Sequence, residues 1–311
     1  MRRSTLKRAA ALLIGAGALA AATAPGAVAA PAPRLTTKAA PIVRTMPHTN
    51  PATRTAKAAP ISIQLNPGQS LQSGASMSAG DTTLVMQSDG NLVLYLVANN
   101  GTHIQPLWNS GTYGNAGAYG LMQSDGNFVI YKQGGGPSNG GALWNTGTWG
   151  KSGALLVLVD GELLVGAPGV ADPYWQTTTG FIPTVVNGQY TDQPSDTIAS
   201  GQGLVPNTWV ESSSTILIMQ ADGNLVLYRK SDGTGIWASW TFGHPGMDAV
   251  MDSSGVFAVA NSNEVLWNTG TWNNPGAYAK VQSDGNFVVY SQGGGPSNGG
   301  ALWNTGTWGK A

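Results

Sequence analysis

From Leu84 to Tyr95 the chain runs LVMQSDGNLVLY, two apolar limbs either side of a polar Ser-Asp-Gly-Asn centre. On the return limb Leu92 and Leu94 alternate with Asn91, Val93 and Tyr95, so one face is apolar and the other mixed. That pattern predicts a strand with one buried and one solvated face, as in antiparallel sheets. Asp-Gly-Asn between apolar runs predicts a tight hairpin, because Gly and Asn tolerate the positive φ such turns demand. One hairpin is barely stable alone, so several must pool their apolar faces.

The chain supplies the others. The phrase returns as GLMQSDGNFVIY (Gly120 to Tyr131), LIMQADGNLVLY (Leu217 to Tyr228) and AKVQSDGNFVVY (Ala279 to Tyr290). Two worn copies are LLVLVDGELLVG (Leu155 to Gly166) and AVMDSSGVFAVA (Ala249 to Ala260). Each copy is followed by a Trp phrase, centred on Trp108, Trp144, Trp175, Trp237, Trp267 and Trp303. The steps between these Trp are 36, 31, 62, 30 and 36 residues, so six modules divide into three and three. An opening phrase, Asn66 to Leu71 with Gly74, precedes the first module, and Ser195 to Ile198 with Gly201 is matched to it before the fourth. These signals place domains at 61–180 and 181–311. Gln133 to Lys151 is identical to Gln292 to Lys310, although one belongs to a second module and the other to a third. Trp at one fixed place per module, even in the worn copies, reads as a shared aromatic centre rather than a sugar platform. Trp149, Trp272 and Trp308, in the Gly-Thr-Trp phrase, are not assigned to either role. The Gly-Gly-Gly-Pro-Ser-Asn-Gly-Gly runs read as hairpin tips, since they lack the strand-helix setting of a phosphate loop.

Straightened, Gln87 to Tyr95 would span ~26 Å at about 3.3 Å per residue, too long to grip one sugar ring. Folding at Asp-Gly-Asn gathers Gln87, Asp89 and Asn91 beside Val93 and Tyr95. Amides donate and accept, carboxylate accepts and phenol does both, a mixture suited to vicinal hydroxyls, while Val offers an apolar patch to ring C–H groups. The same set recurs as Gln123, Asp125, Asn127, Val129 and Tyr131; as Gln220, Asp222, Asn224, Val226 and Tyr228; and as Gln282, Asp284, Asn286, Val288 and Tyr290. Turn chemistry alone would explain Asp-Gly-Asn. The third module keeps Asp160 and Gly161 but has Leu158, Glu162 and Gly166 at the Gln, Asn and Tyr positions; the fifth has Asp252, Ser254, Val256, Ala258 and Ala260. A hairpin therefore does not need Gln, Asn and Tyr. Their joint presence in four modules favours ligand binding, and the worn two read as scaffolding.

Gln-x-Asp-x-Asn-x-Val-x-Tyr resembles the sugar-binding motif of the bulb-type (monocot mannose-binding) lectins. Six modules and both opening phrases match that family over essentially all of residues 61–311. The resemblance implies an all-β fold of two tandem type II β-prisms, each of three small antiparallel sheets around a pseudo-threefold axis. It implies that Asp and Asn hold the axial 2-hydroxyl of mannose, Gln a neighbouring hydroxyl and Tyr the 4-hydroxyl. It implies no metal or other cofactor.

Composition narrows the setting. The formal net charge is +0, but nine Lys or Arg and no acid lie in residues 1–60, leaving 6 basic and 15 acidic residues in 61–311. A body so acidic would be repelled by phosphate backbones, which argues against nucleic acid as a partner. Residues 1–29 read as a signal peptide: basic Met1 to Arg8, an Ala-rich apolar run, then Ala27-Val28-Ala29. Residues 30–60, rich in Ala, Pro and Thr, read as a disordered basic linker. No later run is long and apolar enough to span a bilayer, so the expected location is extracellular. With Cys 0, disulfides and thiolate metal sites are excluded.

The expected function is a secreted lectin, multivalent and metal-independent, recognising mannose or mannose-like sugars in glycans or cell-surface polysaccharides, with a homodimer as a further partnership left open. Two alternatives stand beside it, a lectin-like bacteriocin acting on related bacteria and a protein-interaction module on the same fold. An enzyme is not expected. His48, His103 and His244 fall in the linker or in predicted loops with no nucleophile or carboxylate at recognisable spacing. The repeated Asp residues occur once per module rather than as a facing pair.

Overall fold

The computed structural model describes residues 62–311 except 160, 169, 171, 187 and 188. The expected signal peptide and linker, His48 and Asp160 lie outside the described residues. Every regular element among the described residues is a strand, and no helix there is long and apolar enough to cross a membrane.

Three short strands, β1 (Ser62–Leu65), β2 (Ser70–Leu71) and β3 (Ser76–Ala79), open the first prism, and each joins a different sheet. β3 pairs with its own module, β4 (Thr82–Met86), β5 (Leu92–Val97) and β6 (His103–Asn109). β2 pairs with the second module, β7 (Tyr119–Met122), β8 (Phe128–Gly136) and β9 (Gly140–Asn145). β1 reaches the third, β10 (Leu155–Val159), β11 (Glu162–Gly166) and β12 (Trp175–Gln176).

The second prism repeats the scheme after β13 (Gly180–Phe181) and a hairpin of β14 (Pro183–Val186) and β15 (Gln189–Pro194). Its opening strands are β16 (Thr197–Ile198), β17 (Gly203–Leu204) and β18 (Thr208–Glu211). β18 joins β19 (Thr215–Met219), β20 (Leu225–Arg229) and β21 (Gly235–Ala238), with β13 parallel at its edge. β17 joins β22 (Asp248–Met251), β23 (Phe257–Ala260) and β24 (Val265–Asn268). β16 joins β25 (Tyr278–Val281), β26 (Phe287–Gly295) and β27 (Gly299–Asn304). The chain thus carries two tandem β-prisms.

Alternation decides what each face does. Leu84, Met86, Leu92, Leu94 and Leu96 are fully buried, and Phe128, Ile130, Leu156, Leu158, Leu163 and Val165 join them inside the first prism. Leu217, Met219, Leu225, Phe257, Val259, Phe287 and Val289 do the same in the second. The six Trp form two triads. Trp108, Trp144 and Trp175 meet edge to face at 5.4, 5.7 and 5.5 Å; Trp237, Trp267 and Trp303 meet at 5.3, 5.9 and 5.3 Å. Each ring presents its positive edge to a neighbour's negative face, the geometry that aromatic quadrupoles favour. The rings are half-buried, closing each prism at its axis rather than lying at the bottom of a core.

Register corrects two expected alignments. The backbone N–H groups of Gly68 and Gly201 donate to Met122 and Met251 at 2.7 Å, and those of Asn66 and Ala199 donate to Gln69 and Gln202 side chains at 2.7 and 2.9 Å. The counterpart of Asn66 to Leu71 is therefore Ala199 to Leu204, not Ser195 to Ile198. Gly74, whose N–H bonds Met86, has Asn207 as its counterpart, with φ 65 where Asn tolerates the left-handed region. In the third module Val159 pairs with Glu162, so that hairpin is one residue shorter than the one closed between Gln87 and Asn91. Val159, not Leu158, stands at the Gln position, and Leu158 is in the core.

The two prisms share a packed seam. Trp209, on β18, is 1% exposed and lies against Gly161, where an added Cβ would stand 2.2 Å from its ring. Ile216 and Ile218 also pack with the first prism's core. Lys230 bridges Asp81 of the first prism at 2.5 Å and Glu211 at 2.9 Å, and the Trp209 indole N–H donates to Glu211 at 2.8 Å.

Candidate carbohydrate site

Each intact motif is assembled on the outer face of its hairpin. In the first module Gln87 N–H donates to Asn91 O at 2.8 Å, and Val85 and Thr83 face Val93 and Tyr95 across the ladder. Since Leu92 and Leu94 point inward, Asn91, Val93 and Tyr95 must share the opposite face with Gln87. The Gln side chain closes the set. Its Nε2 donates to the Tyr hydroxyl at 2.8 Å for Gln87–Tyr95, 2.6 Å for Gln123–Tyr131, 3.0 Å for Gln220–Tyr228 and 2.8 Å for Gln282–Tyr290.

Asp and Asn are each half committed to the turn. One carboxylate oxygen of Asp89, Asp125, Asp222 and Asp284 accepts the backbone N–H of the Asn two residues on, at 2.9–3.0 Å. The Asn91 carbonyl oxygen accepts from Thr112 N–H and the Ser110 hydroxyl at 3.1 Å each, and Asn127, Asn224 and Asn286 are held the same way. What stays unspent in the first motif, among the described residues, is the second Asp89 oxygen, the Asn91 amide N–H groups, the Gln87 carbonyl and the Tyr95 hydroxyl proton. Two acceptors and two donors around Val93 can meet adjacent sugar hydroxyls, each both donor and acceptor. Burial pushes the Tyr131 phenol above its ordinary value against the opposing Gln123 amide, and the Tyr228 phenol likewise against Gln220. Both therefore keep their protons at neutral pH.

The turn itself must be glycine. Gly90 has φ 93, and a Cβ there would sit 2.1 Å from Asn115 O; at Gly126 it would sit 2.2 Å from Lys151 O. The segment after each Trp strand clamps the turn, as Thr112 and Thr148 hydroxyls donate to Gly90 O and Gly126 O at 2.7 Å. The worn modules keep that clamp, with Thr179 on Gly161 O at 2.8 Å and Thr271 on Gly255 O at 2.7 Å. The clamp belongs to the scaffold; the Asn carbonyl adds to it in the intact modules, while the Gln and Tyr side chains and the Asn amide N–H groups are additional to it.

The four motifs have different surroundings. Tyr131 stands beside Tyr119 at 6.0 Å and Tyr290 beside Tyr278 at 5.7 Å, where the Tyr119 and Tyr278 hydroxyls pin the glycine hairpin tips at Gly135 O and Gly294 O. Tyr95 stacks on His103 at 4.1 Å; His103 begins β6 and does not lie in a loop as expected. In the fourth module Gln220 Nε2 also donates to Gln105 Oε1 of the first prism at 2.5 Å. Gln105 belongs to no repeated motif, but the run Ile216-Leu217-Ile218 that lies near it, apolar on both faces, is the pattern of a strand covered on both sides.

Of the unassigned Trp, Trp149 and Trp308 are exposed beside the site turns, as are Tyr113 and Phe242, whereas Trp272 is half-buried. Trp240 adopts φ 62 where the other intact modules have Gly111, Gly147 and Gly306, and it too is exposed. Among the described residues no group of three or more His, Cys, Asp or Glu converges for a metal ion.

No family model matches the chain, and no curated protein does. Solved structures do. A monomeric monocot mannose-binding lectin from Gastrodia elata is 30% identical over 37% of this chain and 99% of its own, with a TM-score of 0.33. The mannose-specific agglutinin of snowdrop (Galanthus nivalis) bulbs, complexed with methyl-α-D-mannoside, is 33% identical over 32% of this chain and 91% of its own, TM-score 0.30. The fetuin-binding agglutinin of Scilla campanulata, a two-domain lectin, is 28% identical over 79% of this chain and 98% of its own, TM-score 0.29.

Proposed function

This chain belongs to the monocot bulb-type mannose-binding lectin family, and from that premise we propose that it is a secreted, multivalent lectin for mannose or mannose-like sugars that works without a metal. The observation that carries the proposal is the Gln–Tyr hydrogen bond beside a Val on the outer faces at Gln87, Gln123 and Gln282, with the polar groups left unspent around it in the first motif; in the second, the Asn127 amide reaches Asn145 Oδ1 at 3.5 Å. Such groups have no structural task, because the worn modules fold and clamp their turns without them.

A shallow polar site exchanges water hydrogen bonds for sugar ones, so the net gain per bond is small. Each site is expected to hold a monosaccharide with Kd on the order of millimolar, near −4 kcal/mol. Linked sites engaging several branches of one glycan raise apparent affinity by about 10²–10⁴. Surface plasmon resonance on dense and sparse mannan tests this. Binding much tighter on the dense surface and competed by free mannose is the expected result; equal affinities on both, or no competition, would remove the multivalent mannose reading. Export is tested separately by intact mass of protein from the medium, with a start near Ala30 expected and a start at Met1 contrary to it.

A further inference from the structure

The fourth motif, Gln220 to Tyr228, has the full set of sugar-binding residue types, yet its outer face is not free. Across the ladder Tyr228 pairs with Ile216 and Val226 with Ile218. Both isoleucines are fully buried and pack with the first prism's core, as does Tyr228. In the motifs of the first, second and sixth modules the residues in the same places are Thr83 and Val85, Tyr119 and Leu121, and Tyr278 and Lys280, and none of these but Thr83 is buried. The first prism's β5–β6 connection closes over the end of β20. Asn99 N–H donates to Lys230 O at 2.7 Å, and Gly233 has space for a Cβ only 3.2 Å from Ile104.

Gln105 completes the closure. Its carbonyl oxygen takes one N–H of the Gln220 amide at 2.5 Å, and the Tyr228 hydroxyl takes the other at 3.0 Å. A primary amide has two N–H groups, so Gln220 has no donor left. We infer that the fourth motif is an interprism joint with Gln105 as its internal ligand, so that the chain offers three sugar sites and not four. The joint uses the same surface that a sugar would, a hydroxyl-shaped demand met by a carboxamide oxygen. Gln105 itself is 9% exposed, and its Nε2 has no partner among the described residues. The cost of burying that orphaned donor offsets much of what the Gln105 side chain contributes through its bond to Gln220, and a Gln105→Ala chain is expected to fold.

The lectin reading enters only in what the closed surface would otherwise hold, so closure and sugar binding are measured separately. Side-chain amide exchange in the full chain reads closure: Gln220 protons are expected to exchange at least about tenfold more slowly than those of Gln123, and Gln105→Ala should raise the Gln220 rate. Equal rates in the wild type would overturn the joint. Crystals soaked in methyl-α-D-mannoside read occupancy: sugar at Gln87, Gln123 and Gln282 with none at Gln220 supports the inference, and sugar at Gln220 overturns it. No sugar at any motif, with slow Gln220 exchange, would keep the joint and remove the proposed function.

Discussion

Asn91 holds the turn with its carbonyl oxygen and leaves its amide N–H groups facing outward, so one side chain carries two separable roles. Asn91→Asp keeps an oxygen for Thr112 N–H and Ser110, now at 3.1 Å each, but converts the outward donor into an acceptor. A sugar hydroxyl that accepted from Asn91 then loses its partner, at a cost of about 1–3 kcal/mol, or roughly 5- to 150-fold in affinity at that site. Asn91→Ala removes both roles. It also leaves the N–H of Thr112, itself 5% exposed, without its acceptor, costing the fold a further ~1–3 kcal/mol. For a chain of this size each kcal/mol lowers Tm by roughly 2–4 °C. The fifth module has Val256 at this position and still clamps Gly255 O, so neither variant should unfold. The assay is a pair of measurements on each variant: a thermal melt, and methyl-α-D-mannoside titration followed at Gln87 by NMR. The expected pattern is weak sugar binding in both, with a lower Tm in Asn91→Ala alone. Wild-type sugar affinity in Asn91→Asp, or an equal Tm loss in both, would refute this division of labour.

Trp144→Ala removes one ring from a triad with contacts at 5.4 and 5.5 Å and is expected to destabilise its prism by about 3–5 kcal/mol, read by urea denaturation. Mannan binding should be unchanged in excess chelator, and a loss reversed by calcium would contradict the metal-free site. Burial pushes Glu211 up to about 7 against the pull of Lys230, so the folded chain holds this proton more tightly than the unfolded one. Stability from this group is then present below the ordinary carboxylate range and declines as pH rises through 7, by at most about 3 kcal/mol. Melts between pH 4.5 and pH 8 should show that decline in the wild type and a flatter profile in Glu211→Gln.

Much of this was legible because it is local. Apolar alternation around Asp-Gly-Asn fixes which face of each hairpin is buried, and it places Leu92 inside and Asn91 outside without any tertiary information. The Trp triads follow from one Trp per module. The misread parts are those that distant pairing decides. Ala199 to Leu204 is the true counterpart of Asn66 to Leu71, but strands of two residues, such as Ser70–Leu71 and Gly203–Leu204, have too little pattern to fix a register. Val159 takes the Gln place in the third module because its hairpin is one residue shorter, a difference that a gap-free comparison cannot detect. Gln105 was invisible as a site residue, since nothing near it in sequence announces that it will meet Gln220, 115 positions away.

The opening strands have a kinetic consequence. Ser62 pairs with Val159 and Thr197 with Lys280, so the first residues of each prism find partners only near its far end. The three-stranded modules can form early, each within a few tens of residues; β3 and β18 adjoin their own modules in sequence, but the other two modules of each prism lack an edge until β1 and β2, or β16 and β17, dock. Ring closure of this kind is an entropic step with a long loop, and it slows folding relative to the hairpins that precede it. During synthesis the first prism would wait with β1 unpaired while nearly a hundred residues follow it, its edges open to a neighbouring chain's β1. Exchange of opening segments between two chains is the misassembly that this architecture invites, and dilution during refolding should suppress it.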